Sequence, residues 1–374
     1  MLRKGTFILM KTKIQDMTSG SPGRLIILFA IPLMLGNICQ QLYTMVDTMV
    51  VGQVAGVEAL AALGAVDFLM WVVTGISTGL TQGFSIQLSQ YYGAKDFENL
   101  RKSLAHSYRL TAFIAAGVLI LSQSFASLVL TGLHTPSNII GMSLLYLRII
   151  FCGIPATAAY NMFASALRAM GNSKTPLTAM IIASVLNVSL DILFVAGFGW
   201  GVAGAAIATV IAQSFSAVYC FLILRRIDIV HLTRADFMPA SGMNARLMKL
   251  GIPVVFQNII IGVGGLVVQY VINGYGFLFV AGFTATNKLY GLLEMAAISY
   301  GYAIVTYVGQ NLGAGKIDRI RKGVRSSMLL SLLTSMIISA AMFLFGKNIL
   351  SLFISGEPQQ TQEVLAIAFK YLSI

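Results

Sequence analysis

Residues 31–52 read IPLMLGNICQQLYTMVDTMVVG, an apolar run carrying a single carboxylate, Asp47. About 20 predominantly apolar residues, rising about 1.5 Å each, cross the hydrocarbon core as a helix. An Asp in the middle of such a helix costs about 2.5–3.5 kcal/mol on insertion scales. A residue kept at that cost marks a functional site, whereas one at a hydrated helix end costs little. Either reading puts the stretch in a membrane.

The composition agrees. The chain has 374 residues, 57% hydrophobic and 10% charged, with a mean hydropathy of +0.82; soluble domains carry about 25% charged residues. Apolar runs of spanning length fall near 24–51, 57–89, 104–131, 139–167, 175–198, 201–224, 247–273, 278–308 and 324–346, and a tenth begins near 361. The net charge of +12 would suggest a nucleic-acid partner in a soluble protein. Its distribution excludes that reading here. Apart from Arg148, Lys288, Lys347 and Lys370, every Lys and Arg lies in the N-terminal segment or in alternate inter-span stretches: Lys95–Arg109, Arg168–Lys174, Arg225–Lys249 and Lys316–Arg325. By the positive-inside rule the N-terminus is cytoplasmic, in a multi-pass protein of the cell membrane. The basic residues then set topology and attract anionic lipid.

The apolar patch Thr6–Met10 is too short for a signal-peptide core, so the first span reads as an uncleaved anchor. Cys39, Cys152 and Cys220 lie within spans, far apart, and read as small buried hydrophobes.

An internal repeat organises the chain. Ala30-Ile31-Pro32 recurs as Gly251-Ile252-Pro253, and QYYGAKDFENLRK (90–102) recurs as QNLGAGKIDRIRK (310–322), both at nearly the same offset. Six spans return the chain to its starting side, so both copies insert in the same sense, a parallel repeat with a cavity between the halves. The expected fold is an all-α polytopic membrane protein of two homologous six-helix lobes. Its segments are a cytoplasmic segment 1–23, an N-terminal lobe 24–226, an inter-lobe loop 227–246 and a partial C-terminal lobe 247–374. Tyr146-Leu147-Arg148-Ile149 opens the fourth span of the first copy, and Tyr371-Leu372-Ser373-Ile374 stands at the matching place in the second. The second lobe is therefore expected to be incomplete, lacking about 75 residues relative to the first, and the 374-residue form is expected to insert without transporting.

These residues resemble a family. Pro32 followed by Val46-Asp47-Thr48 and Val51-Gly52, the Gln-x-x-Gly-Ala motif in both halves, Ser165-Ala166-Leu167-Arg168-Ala169-Met170-Gly171-Asn172, and Gly199-Trp200-Gly201-Val202-Ala203-Gly204 look like multidrug and toxic compound extrusion (MATE) transporters. The resemblance implies a twelve-helix, two-lobe exporter that moves cationic or amphipathic compounds outward against inflow of protons or sodium ions. It also implies an ion site made by an Asp of the first helix and an Asn-x-x-x-Asp pair of the fifth, here Asp47, Asn187 and Asp191.

Geometry supports such a site. Counted from the expected outer span ends, Asp47 lies about 8 Å deep, Asp191 about 10 Å and Thr209 about 12 Å, with Asn187 one turn below Asp191 on the same face. An oxygen cluster of this kind holds a sodium ion, or lets one carboxylate take a proton when the two approach. The same residues would also suit an interhelical hydrogen-bond cluster that joins spans. Glu294 lies deeper, about 22 Å from the outer face, and is a candidate for a cationic substrate or for coupling in the second lobe. Lys288 pairs with an acid elsewhere or snorkels, and Arg148 and Lys370 read as snorkelling. Asp67 either joins the outer cluster or faces water.

Two motif matches mislead. Gly199-x-Gly201-x-x-Gly204 fits a dinucleotide fingerprint but has no strand before it and reads as a tight turn between spans. Gly75-Ile76-Ser77-Thr78-Gly79 fits a nucleophile elbow, yet His106, His134 and His231 all fall at span ends or in loops. Gly75, Gly79 and Gly83 read instead as a close helix-packing face. An enzyme is not indicated. A flippase for lipid-linked saccharides is the alternative transporter, but a cationic cavity with few first-lobe carboxylates would favour it, and this chain shows the reverse. Small molecules and membrane lipids are the expected partners, with the chain acting as a monomer. No cofactor beyond the coupling ion is expected.

Overall fold

The computed structural model describes residues 14–353 except His134, Pro136 and 274–276. The described chain is helical: α1 (Pro22–Val54), α2 (Val57–Gly93), α3 (Phe97–Gly132), α4 (Ile140–Cys152), α5 (Ile154–Ala169), α6 (Lys174–Asp191), α7 (Gly201–Leu224), α8 (Met243–Asn273), α9 (Phe277–Gly313) and α10 (Ile317–Phe353). Among the described residues, six helices are long and apolar enough to cross a membrane by themselves, and two bent pairs do so together, α4 with α5 and the two parts of α2, Glu58–Asp67 and Leu69–Gly93. Residues such as Phe113, Leu128, Ile337 and Leu344 turn their side chains outward, as a lipid-facing surface requires. The protein is a multi-pass membrane protein of two-lobe architecture. The start of a tenth span near 361, and Lys370, lie outside the described residues.

Three local features differ from the expected spans. The span expected over 139–167 is two helices, bent by 46° where Gly153 separates α4 from α5. Pro155 explains the break, because it has no N–H for the preceding carbonyls and is accommodated in the first turn of a new helix. Beyond Asp191 the fifth span ends in a π-helical turn, Ile192–Gly197. Finally, α8 starts at Met243, inside the loop expected over 227–246, and that loop is ordered by short 3-10 turns and a capping box between Thr233 and Asp236.

The halves meet along α2, which packs against α8 and α9, and along α1, which packs against α9. Since α1 matches α8 and α2 matches α9 in the repeat, α1 on α9 and α2 on α8 are equivalent contacts, and α2 on α9 lies on the axis relating the halves. The glycine face of α2 makes the approach possible. A Cβ on Gly79 would stand 2.9 Å from the Val255 backbone, and one on Gly83 would collide with Gly251. On the axis the repeated motif closes on itself: a Cβ at Gly93 would overlap the Gln310 carbonyl, and one at Gly313 the Gln90 carbonyl. This seam lies at the end of the bundle that carries the basic stretches, called the basic end below. At the opposite end Gly199 (φ +70°) and Gly201 (φ +52°) make the expected tight turn into α7, with Phe194, Phe198 and Trp200 stacked beside it. Aromatic residues of this kind favour the membrane–water interface.

Candidate functional site

Three helices of the first lobe each present a pair of polar residues one turn apart: Tyr43 and Asp47 on α1, Asn187 and Asp191 on α6, Thr209 and Gln213 on α7. α6 packs along both α1 and α7, which brings the pairs together. Asn187 Nδ2 donates to Thr209 Oγ1 at 3.4 Å, and Gln213 Nε2 donates to Tyr43 Oη at 3.2 Å. Asp47 and Asp191 lie within electrostatic reach of each other. Asp191 and Asn187 are fully buried and Asp47 is nearly so.

Depth counting set Thr209 level with Asp191, but the bond joins it to Asn187, one turn further in. An Asn side chain reaches across that difference, and the π turn between Asp191 and the outer end shortens the path counted at a uniform α-helical rise.

Several acceptor oxygens of the cluster have no donor. Asp47 Oδ1, Asn187 Oδ1 and both carboxylate oxygens of Asp191 are buried with no hydrogen-bond partner, as is Gln213 Oε1. Among the described residues the ion pairs are Arg101 with Asp236 and Lys102 with Glu98, both at the basic end, and none of the described cationic side chains pairs with Asp47 or Asp191. Buried carboxylates left in this state are strongly disfavoured. A hard cation such as sodium, which takes oxygen ligands, fits this donor set, and so does a proton on either carboxylate. The described residues contain no group of three His, Cys, Asp or Glu suited to a transition metal.

Tyr43 and Gln213 were missed at the sequence level. Each lies four residues from a residue that was singled out, and that spacing was the available signal. Asp67 is exposed on α2 and near enough to Asp47 to act on it through space. Glu294 is exposed on α9 and stands outside the cluster. Arg148 is exposed on α4. The side chain of Lys288 and the whole of His134 lie outside the described residues.

Known proteins place this arrangement. The profile of the MatE family matches residues 32–193 and 253–374, once in each half. The chain is 31% identical over 360 residues to "Probable multidrug resistance protein YpnP" of Bacillus subtilis (strain 168), covering 96% of this chain and 80% of the relative. It is 28% identical to "Probable multidrug resistance protein YoeA" of the same organism, covering 96% of this chain and 78% of that one. Its fold matches a structure titled "Outward-facing conformation of a multidrug resistance MATE family transporter of the MOP superfamily", with a TM-score of 0.90 at 22% identity, covering 96% of this chain and 80% of that chain. The chain belongs to the MATE family of multidrug efflux transporters, and is a transporter and not an enzyme.

Proposed function

We propose that this protein is an antiporter that exports cationic or amphipathic small molecules against inflow of protons or sodium ions, coupled through Asp47, Asn187, Asp191 and Thr209. The observation that carries the reading is the group of buried acceptor oxygens with no donor, contributed by three helices. A bound cation cancels repulsion between the acids and draws α1 toward α6, while its loss lets them separate. Ion occupancy thereby sets the position of α1, which also packs against α9 of the second lobe. The multidrug names of the relatives support the substrate class. Glu294, exposed on α9, suits a cationic substrate in the space between lobes.

The N-terminus is cytoplasmic, the lobes divide at the 227–246 loop, and the chain works as a monomer in the cell membrane. One charge moving through 100 mV supplies about 2.3 kcal/mol, and a tenfold gradient of neutral substrate needs about 1.4 kcal/mol, so a single ion sustains a gradient on the order of forty-fold.

The test is dye efflux from cells making the protein with a natural C-terminal extension that completes the second repeat, either unaltered or carrying Asp47→Asn or Asp191→Asn, with a protonophore or sodium removal distinguishing the ion. Each variant is expected to fall to background, because an amide neither exchanges a proton nor balances a sodium charge. Undiminished efflux in either, at equal membrane abundance, refutes the assignment.

A further inference from the structure

We infer that residues 14–20, the stretch leading into α1, form a latch that ties the cytoplasmic ends of the two lobes together and holds the transporter closed on that side. The inference rests on the transporter reading, which requires the cavity to face each side of the membrane in turn.

The stretch makes backbone bonds to both lobes. On the first-lobe side the Gln15 N–H donates to the carbonyl of Gly171, in the α5–α6 turn, at 3.2 Å. Gly171 has φ +90°, and a Cβ there would overlap the Gln15 carbonyl, so the turn is shaped to seat this strand. On the second-lobe side the Met17 N–H donates to Gln310 Oε1 at 3.0 Å, and the Met17 carbonyl accepts from Asn311 Nδ2 at 2.9 Å. Lys316 Nζ donates to the Thr18 carbonyl and Arg319 Nη1 to the Gly20 carbonyl, each at 2.9 Å. Apolar anchors follow the same division. Ile14 packs on the first-lobe core, while Met17, fully buried, enters the cluster formed by α1 with Tyr300, Ala303 and Tyr307 of α9.

Gln310 is the junction. Its Oε1 holds the latch, and its Nε2 donates to the Ala169 carbonyl at the end of α5, at 2.8 Å. It therefore joins second lobe, first lobe and latch through one amide, on the helix that crosses α2 at Gly93 and Gly313. Arg168 adds a second clamp, its guanidinium 4.7 Å from the centre of the Tyr302 ring across the same seam. The lobes cannot part at this end while these bonds stand, so every excursion to a cytoplasm-open state must break them. A segment whose bonds exist in one state biases the equilibrium toward that state by their differential strength.

The first measurement uses the unmodified protein in lipid nanodiscs. Hydrogen exchange of the amides of Gln15 and Met17 should run at least tenfold slower than in an unstructured peptide of the same sequence. Exchange at the peptide rate overturns the latch without any variant having to fold. The second measures spin-label distances between Lys174→Cys on α6 and Lys322→Cys on α10, both exposed at the cytoplasmic end, with Cys39, Cys152 and Cys220 replaced by alanine. Gln310→Ala should raise the ratio of the long-distance to the short-distance population about tenfold, equivalent to about 1.4 kcal/mol. Gly171→Ala, which places a methyl group where the Gln15 carbonyl sits and strains the turn that seats the stretch, should shift it in the same direction. Unchanged distributions in both variants overturn the proposal. None of these readouts needs a coupling ion, so failure here is distinguishable from failure of the ion site.

Discussion

The seam at the basic end and the acid cluster in the first lobe handle buried polar groups in opposite ways. At the seam, Gln310 bonds through both amide atoms, and Asn311 donates to Met17 and Tyr307 while accepting from Arg319 Nε. In the cluster, Asn187 makes one long bond, and its oxygen lies unpartnered beside the two oxygens of Asp191. Gln310 and Asn311 are as fully buried as Asn187 and Asp191. A fully bonded network is finished in this conformation and must be taken apart to leave it. A network with unpartnered acceptor oxygens is complete only when something positive arrives. On the proposed reading, the difference separates the part of the molecule that stabilises one state from the part that senses an ion.

The comparison breaks most severely at the glycines of the seam. Gly93→Ala and Gly313→Ala each drive a methyl group into a carbonyl of the opposite half, and overpacking of that kind costs about 1–3 kcal/mol. Both should lower the thermal unfolding midpoint in detergent. Gly64→Ala, on the same helix with open space beside it, should leave the midpoint unchanged or raise it slightly through helix propensity. Equal losses at all three would mean that the seam is no tighter than the rest of α2.

The two asparagines sharpen the contrast directly. Asn311→Leu deprives Met17, Tyr307 and Arg319 of a partner and should destabilise by about 1–3 kcal/mol, the cost of stranding buried polar groups. Asn187→Leu removes an oxygen that has no donor and one long bond to Thr209, so it should destabilise less than Asn311→Leu while the ion concentration for half-maximal efflux rises about tenfold, or about 1.4 kcal/mol. Unfolding and ion-titrated efflux on the same preparations separate the two effects. A large loss of stability in Asn187→Leu would show that the cluster is glue.

The smallest effect concerns a satisfied carboxylate. Asp236, in the inter-lobe loop, accepts from Thr233 N at 2.7 Å and Oγ1 at 2.8 Å and faces Arg101 at 3.7 Å. Burial alone would raise its carboxyl, but these bonds and that charge hold it below the usual carboxylate value. The stability it contributes is present above the ordinary Asp range and is lost as pH falls through its depressed folded value. Asp236→Asn should cost about 0.5–2 kcal/mol, as for a lost cap, and should flatten the acid limb of the stability–pH curve.

Class, repeat, the packing face of α2 and the alignment of Asn187 with Asp191 on one face of α6 were legible because each rests on a period: about 20 apolar residues, an offset near 220, or a spacing of four. The π turn after Asp191 was not legible, since no residue type in Ile192–Gly197 announces one. The break at Gly153 had a signal in the Gly-Ile-Pro triplet, which the continuous apolarity of 139–167 masked. The latch was illegible for a different reason. Its contacts are made mainly by its backbone, and a backbone that bonds side chains about 300 positions away leaves no pattern in its own residues.

The crossing of α2 and α9 also bears on how such a chain can change over time. Gly93 faces the backbone of the second Gln-x-x-Gly-Ala copy and Gly313 that of the first, so each copy is the surface to which the other is fitted. A substitution in one is judged by the shape of the other, some 220 codons away. Inherited likeness should therefore persist where the halves touch across their axis and fade where each meets only lipid or its own lobe.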